Sequence, residues 1–283
     1  MGADLPEKPL QGPVHERPAP AGAPTGQQVQ DTPVGTAPTW DSGVAVQGDP
    51  ATGVAEAAKA GDPVTVVALS VPGKSWSELT SANPMWAKAV KTNSDPVWAI
   101  PLTMQGASLA DIAAGKYDTQ WSGLGDVIAQ HKTPGVVRLV TPSTGSAEEG
   151  KAAFTRAAES IKKASPKTRI EWDPPLGLSA AELDAAYPGD GVVDLVGVSV
   201  VDSSKSWLSV LNGPGGLTER SDWAAKQGKP MAIHWAIAEK SPSSWVVNMR
   251  DWIEVSAVRK RVAMDTVTTA NTGQAVAEYR RLW

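Results

Sequence analysis

Five acidic residues on or just after apolar segments are the side chains in this sequence that could supply acid–base chemistry. They are Glu171, Asp173, Asp202, Glu239 and Asp265. Two carboxyl groups on either side of a substrate bond can act as general acid and general base, or one of them can act as a nucleophile. The apolar segment VVRLV (136–140) differs from the others, because it runs into TPSTG and meets no acid.

Residues that carry nucleophilic, metal or cofactor chemistry are scarce. The chain has no cysteine, and its three histidines, His15, His131 and His234, are far apart. No spacing typical of metal ligands occurs, no phosphate-binding glycine loop follows an apolar segment, and no serine lies in a GxSxG context. We expect neither a metal nor a cofactor. His234, at a predicted strand end, is either a structural histidine or a ligand contact.

Short apolar segments alternate with helical ones from residue 40 onward. The predicted strands are 42–48, 63–70, 96–104, 135–140, 169–173, 192–202, 230–237 and 261–267. Among the helical signals, Ser146 is a predicted N-cap ahead of two first-turn glutamates, and Gly228 ends a helix just before a strand. Eight strands with helical crossovers predict an α/β chain folded as a (β/α)8 TIM barrel. The competing prediction is a doubly wound open sheet.

Composition limits the classes of partner. Of the 283 residues, 41% are hydrophobic and 20% are charged, which suits a globular domain with a sizeable core. A net charge of -4 and no basic run beyond Arg259-Lys260-Arg261 disfavour nucleic acid. No segment is apolar for long enough to span a bilayer. The start, MGADLPEKPL, predicts no signal peptide and, with no cysteine, favours synthesis in a cytoplasm.

Residues 1–39 differ in composition from the rest of the chain. They hold eight of its 23 prolines and almost no large apolar side chains. Such a segment buries too little surface to offset its ordering entropy, so it predicts an extended arm. We therefore divide the chain into an arm, 1–39, and a barrel, 40–283. The arm either wraps a partner, or it is a flexible linker or a segment left over from expression.

The segment DAAYPGDGVVDLVGVSVVD (184–202) resembles the sixth-strand signature of glycoside hydrolase family 26, YPGD-x-x-VD-x-IG-x-D-x-YD. The matching residues are Tyr187, Pro188, Gly189, Asp190, Val193, Asp194, Gly197 and Asp202. Four shorter segments resemble the family in the same order. They are SGVAVQG, GKYDTQW, EWDPPLG and GKPMAIHWAI. The resemblance covers nearly all of residues 42–283.

The departures from the family pattern fall at its two catalytic glutamates. Pro142 stands where the resemblance implies the acid/base, and His234 stands where it implies the nucleophile, with Trp235 matching the tryptophan that follows. An alignment without a one-residue gap puts Trp235 itself at the nucleophile position. On strand six, Ser199 and Val201 replace an aspartate and a tyrosine. Retaining hydrolysis needs both carboxyl groups, so we expect no catalytic residues of the family type.

The resemblance also implies a set of cleft residues that could contact a ligand. These candidates are Arg138, Trp172, Asp173, Asp202, His234 and Trp235. It implies that Trp172 faces the barrel interior, and alternation along a strand then turns Glu171 and Asp173 toward the helices or the rim. The chain's 12 tryptophans suit either core packing or stacking on sugar rings.

These features favour an inactive glycosidase-like barrel that serves as a structural or carbohydrate-binding component of a larger assembly. The arm and the composition resemble minor tail proteins of phages of actinobacteria. That analogy implies a virion location, oligomers within the assembly, contacts of residues 1–39 with other tail proteins, and a host cell-wall glycan near the barrel. One alternative is an active hydrolase with relocated carboxylates, and another is a lectin-like module. A bacterial cytoplasm, or export by another route, is the alternative location.

Overall fold

The computed structural model describes most of the chain after residue 37. The described residues are 38–46, 49–59, 64–71, 73–77, 79, 87–89, 91–92, 94–131, 133, 135–201, 206–269 and 274–282. Nearly all of the predicted arm lies outside them, and so does Asp202.

Eight parallel strands close into a single barrel in which each strand pairs with its neighbours in sequence and β8 pairs with β1. They are β1 (Asp41–Val46), β2 (Val66–Ser70), β3 (Asp95–Pro101), β4 (Val136–Val140), β5 (Arg169–Asp173), β6 (Leu195–Val201), β7 (Met231–Ile237) and β8 (Val262–Thr269). The predicted (β/α)8 barrel is confirmed, and the competing open sheet is wrong. The sixth strand begins three residues later than predicted, because 191–194 form a turn.

Helices fill the crossovers between the strands. Those whose bounds the structure gives are α1 (Pro50–Lys59), α2 (Leu109–Ala113), α3 (Asp118–Ala129), α4 (Ala147–Ala164), α5 (Ala180–Ala186), α6 (Trp207–Asn212), α7 (Leu217–Lys226), α8 (Ser243–Val258) and α9 (Gln274–Leu282). Ser146 caps α4 as predicted, in a capping box with Glu149. Gly228, with a φ of +67°, follows the end of α7. Of the helices described, none combines the length and apolar character that a bilayer span would need.

The core has two layers because successive strand residues point to opposite faces. Small and branched side chains from seven strands fill the lower part of the barrel. This inner cluster contains Val66, Ala68, Val97, Val136, Leu195, Ala232 and Met264, with Ala45 and Ala263 packed against it. The alternate residues pack outward against the helices in one larger cluster that includes Phe154, Trp172 and Trp235. This alternation decides which side chains can reach a site inside the barrel.

Asp265 of β8 links the start of the barrel to its last strands. Its two carboxylate oxygens accept separate indole hydrogen bonds, from Trp40 at 2.7 Å and from Trp235 at 2.8 Å. Burial raises the pKa of Asp265, while the hydrogen bonds from both indoles and from Ser42 act in the opposite direction. The carboxylate therefore connects the residue before β1 with strands β7 and β8 on the outer, helix-facing side of the barrel.

Replacing Asp265 with asparagine is expected to destabilise the fold. The amide keeps one acceptor oxygen but turns an NH2 group toward the second indole N–H, which leaves a buried donor without a partner. Such a defect costs about 1–3 kcal/mol, measurable by denaturant unfolding. The exposed Asp126→Asn variant should unfold close to wild type. Equal stability of Asp265→Asn and wild type would contradict this role for Asp265.

Candidate functional site

Six polar side chains from five neighbouring strands meet inside the barrel, above the apolar inner cluster. They are Arg138 of β4, Glu171 and Asp173 of β5, Ser199 of β6, His234 of β7 and Thr266 of β8. Strand register explains the meeting, because Arg138 lies opposite Glu171, and His234 lies opposite both Ser199 and Thr266. We call these six residues the interior polar network.

The side chains of β5 that face the barrel interior are the opposite of those that the family resemblance implied. Glu171 and Asp173 point into the barrel, and Trp172 points outward, with its ring 5.5 Å from that of Tyr187 and 5.7 Å from that of Trp223. The expectation that Trp172 faces the interior is therefore wrong. An indole gains more from packing between sheet and helices, where large apolar side chains already lie, than among charges.

Trp235 is turned outward in the same way. Its ring packs edge-on against Tyr279 of α9, 5.8 Å between centroids, and its N–H binds Asp265. Trp172 and Trp235 are only 1% and 2% exposed, so neither presents a ring face to a sugar at the barrel mouth. Of the six predicted ligand contacts, the structure brings together Arg138, Asp173 and His234.

Arg138 holds the first half of the interior polar network. Its Nε and Nη2 donate to Asp173 Oδ2 at 2.9 and 2.6 Å, and its Nε lies 3.6 Å from Glu171 Oε1. Ser199 accepts from Arg138 Nη2 and donates to Asp173 Oδ2 at 3.0 Å. Burial opposes the charge of Arg138, but Asp173 and Glu171 outweigh it, and the pKa of the guanidinium lies above its ordinary value.

His234 forms the second half. Its Nε2 lies 2.8 Å from Glu171 Oε1 and its Nδ1 lies 2.7 Å from Thr266 Oγ1. A neutral imidazole satisfies both contacts when Nε2–H donates to the carboxylate and Nδ1 accepts from the hydroxyl. Glu171 Oε2 is fully buried and has no hydrogen-bond partner among the described residues.

Gly197 of β6 makes room for this arrangement. A Cβ added there would lie 2.2 Å from Glu171 Oε1 and 2.8 Å from Asp173 Cβ. Steric crowding by Glu171 and Asp173 thus explains why a glycine occupies this position of the sixth-strand motif in this chain. Any larger residue would displace the carboxylate that Arg138 and His234 share.

Of the acids considered from the sequence, neither Asp265 nor Glu239 joins Glu171 and Asp173 inside the barrel. Asp265 faces the helices, Glu239 is exposed beyond β7, and Asp202 lies outside the described residues. Within the interior polar network, Glu171 is 0% and Asp173 is 4% exposed, and both contact the same cation. Across the described part of the chain, no three histidine, aspartate or glutamate side chains are grouped as a metal site requires.

Sequence reasoning found Arg138, Asp173 and His234 but assigned no role to Glu171, Ser199 or Thr266 within a shared site. The available signal was their spacing, since Glu171 and Asp173 are two apart and Ser199 is two after Gly197. Residues two apart on parallel strands share a face, so a polar pair on one strand predicts polar partners at the same height on its neighbours.

The chain resembles solved (β/α)8 glycoside hydrolases at low sequence identity. The catalytic domain of a GH26 endo-β-1,4-mannanase from Bacillus sp. JAMB-750 gives a TM-score of 0.63 at 14% identity, covering 82% of this chain and 77% of that one. A modular GH26 endo-β-1,4-mannanase from Cellulomonas fimi gives 0.62 at 16%, covering 81% and 64%. Cel5A from Thermotoga maritima, solved with mannotriose, gives 0.59 at 11%, covering 86% and 97%.

These similarities establish a glycoside hydrolase-like barrel fold. The chain spans 63% of the length of an engineered protein that it resembles with a TM-score of 0.62 at 15% identity, and 64% of the Cellulomonas fimi mannanase. No family model matches the sequence, and no curated protein matches it significantly.

Replacing Arg138 with methionine is expected to destabilise the barrel strongly. The change leaves Glu171 and Asp173 buried without their shared cation, and breaking a buried pair in this way costs about 3–5 kcal/mol. Denaturant unfolding measures the loss. Arg156→Met is the matched control, because its ion pair with Asp118 is exposed and should change stability far less. A similar, small effect of both substitutions would mean that the interior polar network does not hold the barrel.

Proposed function

We propose that this chain is a glycosidase-like barrel without hydrolytic activity that binds carbohydrate as a component of a larger assembly. The observation that carries the proposal is the state of the two acids inside the barrel. Glu171 and Asp173 are covered and bound by Arg138, His234 and Ser199. Neither is free to donate a proton to a leaving group or to attack a sugar.

The ends of β4 and β7 offer no replacement. Pro142 has no titratable group, and His234 is engaged on both ring nitrogens. A neutral imidazole cannot replace a carboxylate that stabilises a cationic, oxocarbenium-like transition state and forms a covalent bond to the sugar. The fold similarity to glycoside hydrolases supports a carbohydrate-related role, and the site chemistry argues against turnover.

An active hydrolase with relocated carboxylates is the second candidate. The observation in its favour is that Glu171 and Asp173 face the barrel interior, on one side of β5, as a catalytic pair would. Glu171 is fully buried, and Asp173 accepts hydrogen bonds from Arg138 and Ser199, so neither carboxylate is placed to donate a proton to a leaving oxygen. This candidate therefore lacks a general acid among the described interior residues.

Hydrolysis assays separate the two candidates. We expect the full chain to release no reducing sugar from mannan, β-glucan or a mycobacterial-type wall polysaccharide. Specific release that disappears in a folded Asp173→Asn variant would establish the second candidate instead. Circular dichroism of that variant is needed, because the substitution also weakens the contact of Arg138 with β5.

The assembly in this proposal is a phage tail, with the barrel as a minor tail protein near a host cell-wall glycan. Its support is compositional and analogical: residues 1–39 are rich in proline and poor in large apolar side chains, and the chain contains no cysteine. In this arrangement residues 1–39 contact other tail proteins and residues 40–283 remain exposed on the virion.

For the tail assignment, we expect mass spectrometry to detect the chain in gradient-purified particles of the phage that encodes it. A version without residues 1–39 should be absent from them, because it lacks the proposed contact segment. Absence of the full chain would contradict the virion location. Equal incorporation of both versions would contradict the role of the arm alone.

A further inference from the structure

A pocket lies beside the barrel mouth, between the loop that follows β4 and the loop and helix that follow β5. Residues 141–147 form one wall, and residues 174–186 contribute the other. Its volume is about 260 Å³, slightly below the roughly 300–1,000 Å³ usual for small-molecule sites. The pocket therefore suits one small unit of a ligand. The TPSTG segment, which ends β4 without an acid, is part of its lining.

The lining combines an apolar floor with polar groups at the rim. Pro174, Leu178 and Trp172 contribute apolar surface. Thr144 and Lys151 stand on the side of α4, and Glu182 stands on α5. This is the usual composition of a ligand pocket, in which a few polar groups orient a mostly apolar contact.

The charges at the rim favour a neutral ligand. Lys151 and Glu182 are both exposed and, within the described residues, form no ion pair with each other. Their opposite charges leave the rim without net charge. The amino-terminal end of α4 is not open to an anion either, because the Ser146 side chain caps it and Glu148 and Glu149 occupy its first turn.

A pyranose unit matches this chemistry. Its C–H faces are apolar and can contact proline rings and leucine, and its hydroxyl edge can hydrogen-bond to a hydroxyl, an ammonium and a carboxylate at once. Glu182 already accepts from the backbone and side chain of Ser179 at 2.8 and 2.7 Å, which fixes its carboxylate while leaving acceptor capacity.

The barrel axis is the poorer site. Arg138 binds Asp173, His234 binds Glu171, and the nearby tryptophans are turned outward. We infer that the side pocket at 141–147 and 174–186, and not the barrel axis, binds one neutral sugar unit of a glycan. The inference rests on the proposed carbohydrate-binding function and assigns it a location.

Gly150 of α4 provides a direct test. It borders the pocket, and a Cβ built on it meets no atom within 4 Å. Leucine at 150 would extend into the pocket without a backbone clash and is a better helix former than glycine. Gly191 is the matched control, because it also has open space around it but lies outside the pocket lining.

Titration calorimetry on the full chain should use mannotriose and cellotriose as probes. We expect wild type and Gly191→Leu to bind one of them alike, and Gly150→Leu to bind at least tenfold more weakly with an unchanged or higher melting temperature. Lys151→Met should weaken binding severalfold, since it removes one rim donor. Binding by Gly150→Leu equal to wild type would overturn the pocket assignment and leave the proposed function standing. No binding of either sugar by wild type would count against both.

Discussion

The barrel depends on one cation held between two carboxylates. Arg138 is the shared partner of Glu171 and Asp173 in an interior that is otherwise apolar below them. Removing two carboxylates from water costs several kcal/mol for each ion, and this cost is offset only by close partners with good geometry. Bonds at 2.6 and 2.9 Å from one guanidinium to Asp173 meet that condition. His234 supplies the remaining contact on Glu171.

Under the proposed function, the contacts that stabilise these acids inside the barrel also keep them from acting as catalysts. A general acid needs a proton at neutral pH and access to the leaving oxygen. Burial of Glu171 denies it access to a leaving oxygen, and Asp173 is occupied by its hydrogen bonds with Arg138 and Ser199. The inward position of Glu171 and Asp173 would suit a catalytic pair, whereas the contacts that they make with their neighbours suit a structural pair. On this proposal, fold and reactivity are separable in the chain, because they depend on different partners of the same side chains.

Much of the barrel could be predicted from the sequence, because strand and cap signals are local. The run VVRLV and the Ser146 cap each need only a few neighbouring residues to be recognised. Which side chains of β5 face the barrel interior could not be predicted in this way. A period of two shows that Glu171 and Asp173 share a face, but both faces of a barrel strand are buried, so the period does not say which face is inside.

Residues far away in the chain determine which side chains of β5 face the barrel interior. Asp173 points inward because Arg138, 35 residues earlier, and Ser199, 26 residues later, meet it there. Trp172 points outward because Tyr187 and Trp223 form an aromatic pocket on the helix side. Neither preference is visible in RIEWD itself. The prediction from family resemblance failed at this point because it carried over an orientation without these partners.

The segment that follows β4 gains a different meaning from this arrangement. Inside the barrel, Arg138 binds Asp173 and His234 binds Glu171, and Glu171 Oε2, which has no partner among the described residues, is fully buried. A ligand therefore meets exposed polar groups outside that network. The TPSTG loop carries hydroxyls and Pro142, and it borders the pocket whose rim includes Lys151 and Glu182. Under the proposed function, the absence of a catalytic acid from this loop and a recognition surface beside it are compatible. Chemistry requires two carboxylates at one bond, whereas recognition requires only hydrogen-bonding groups around an apolar floor.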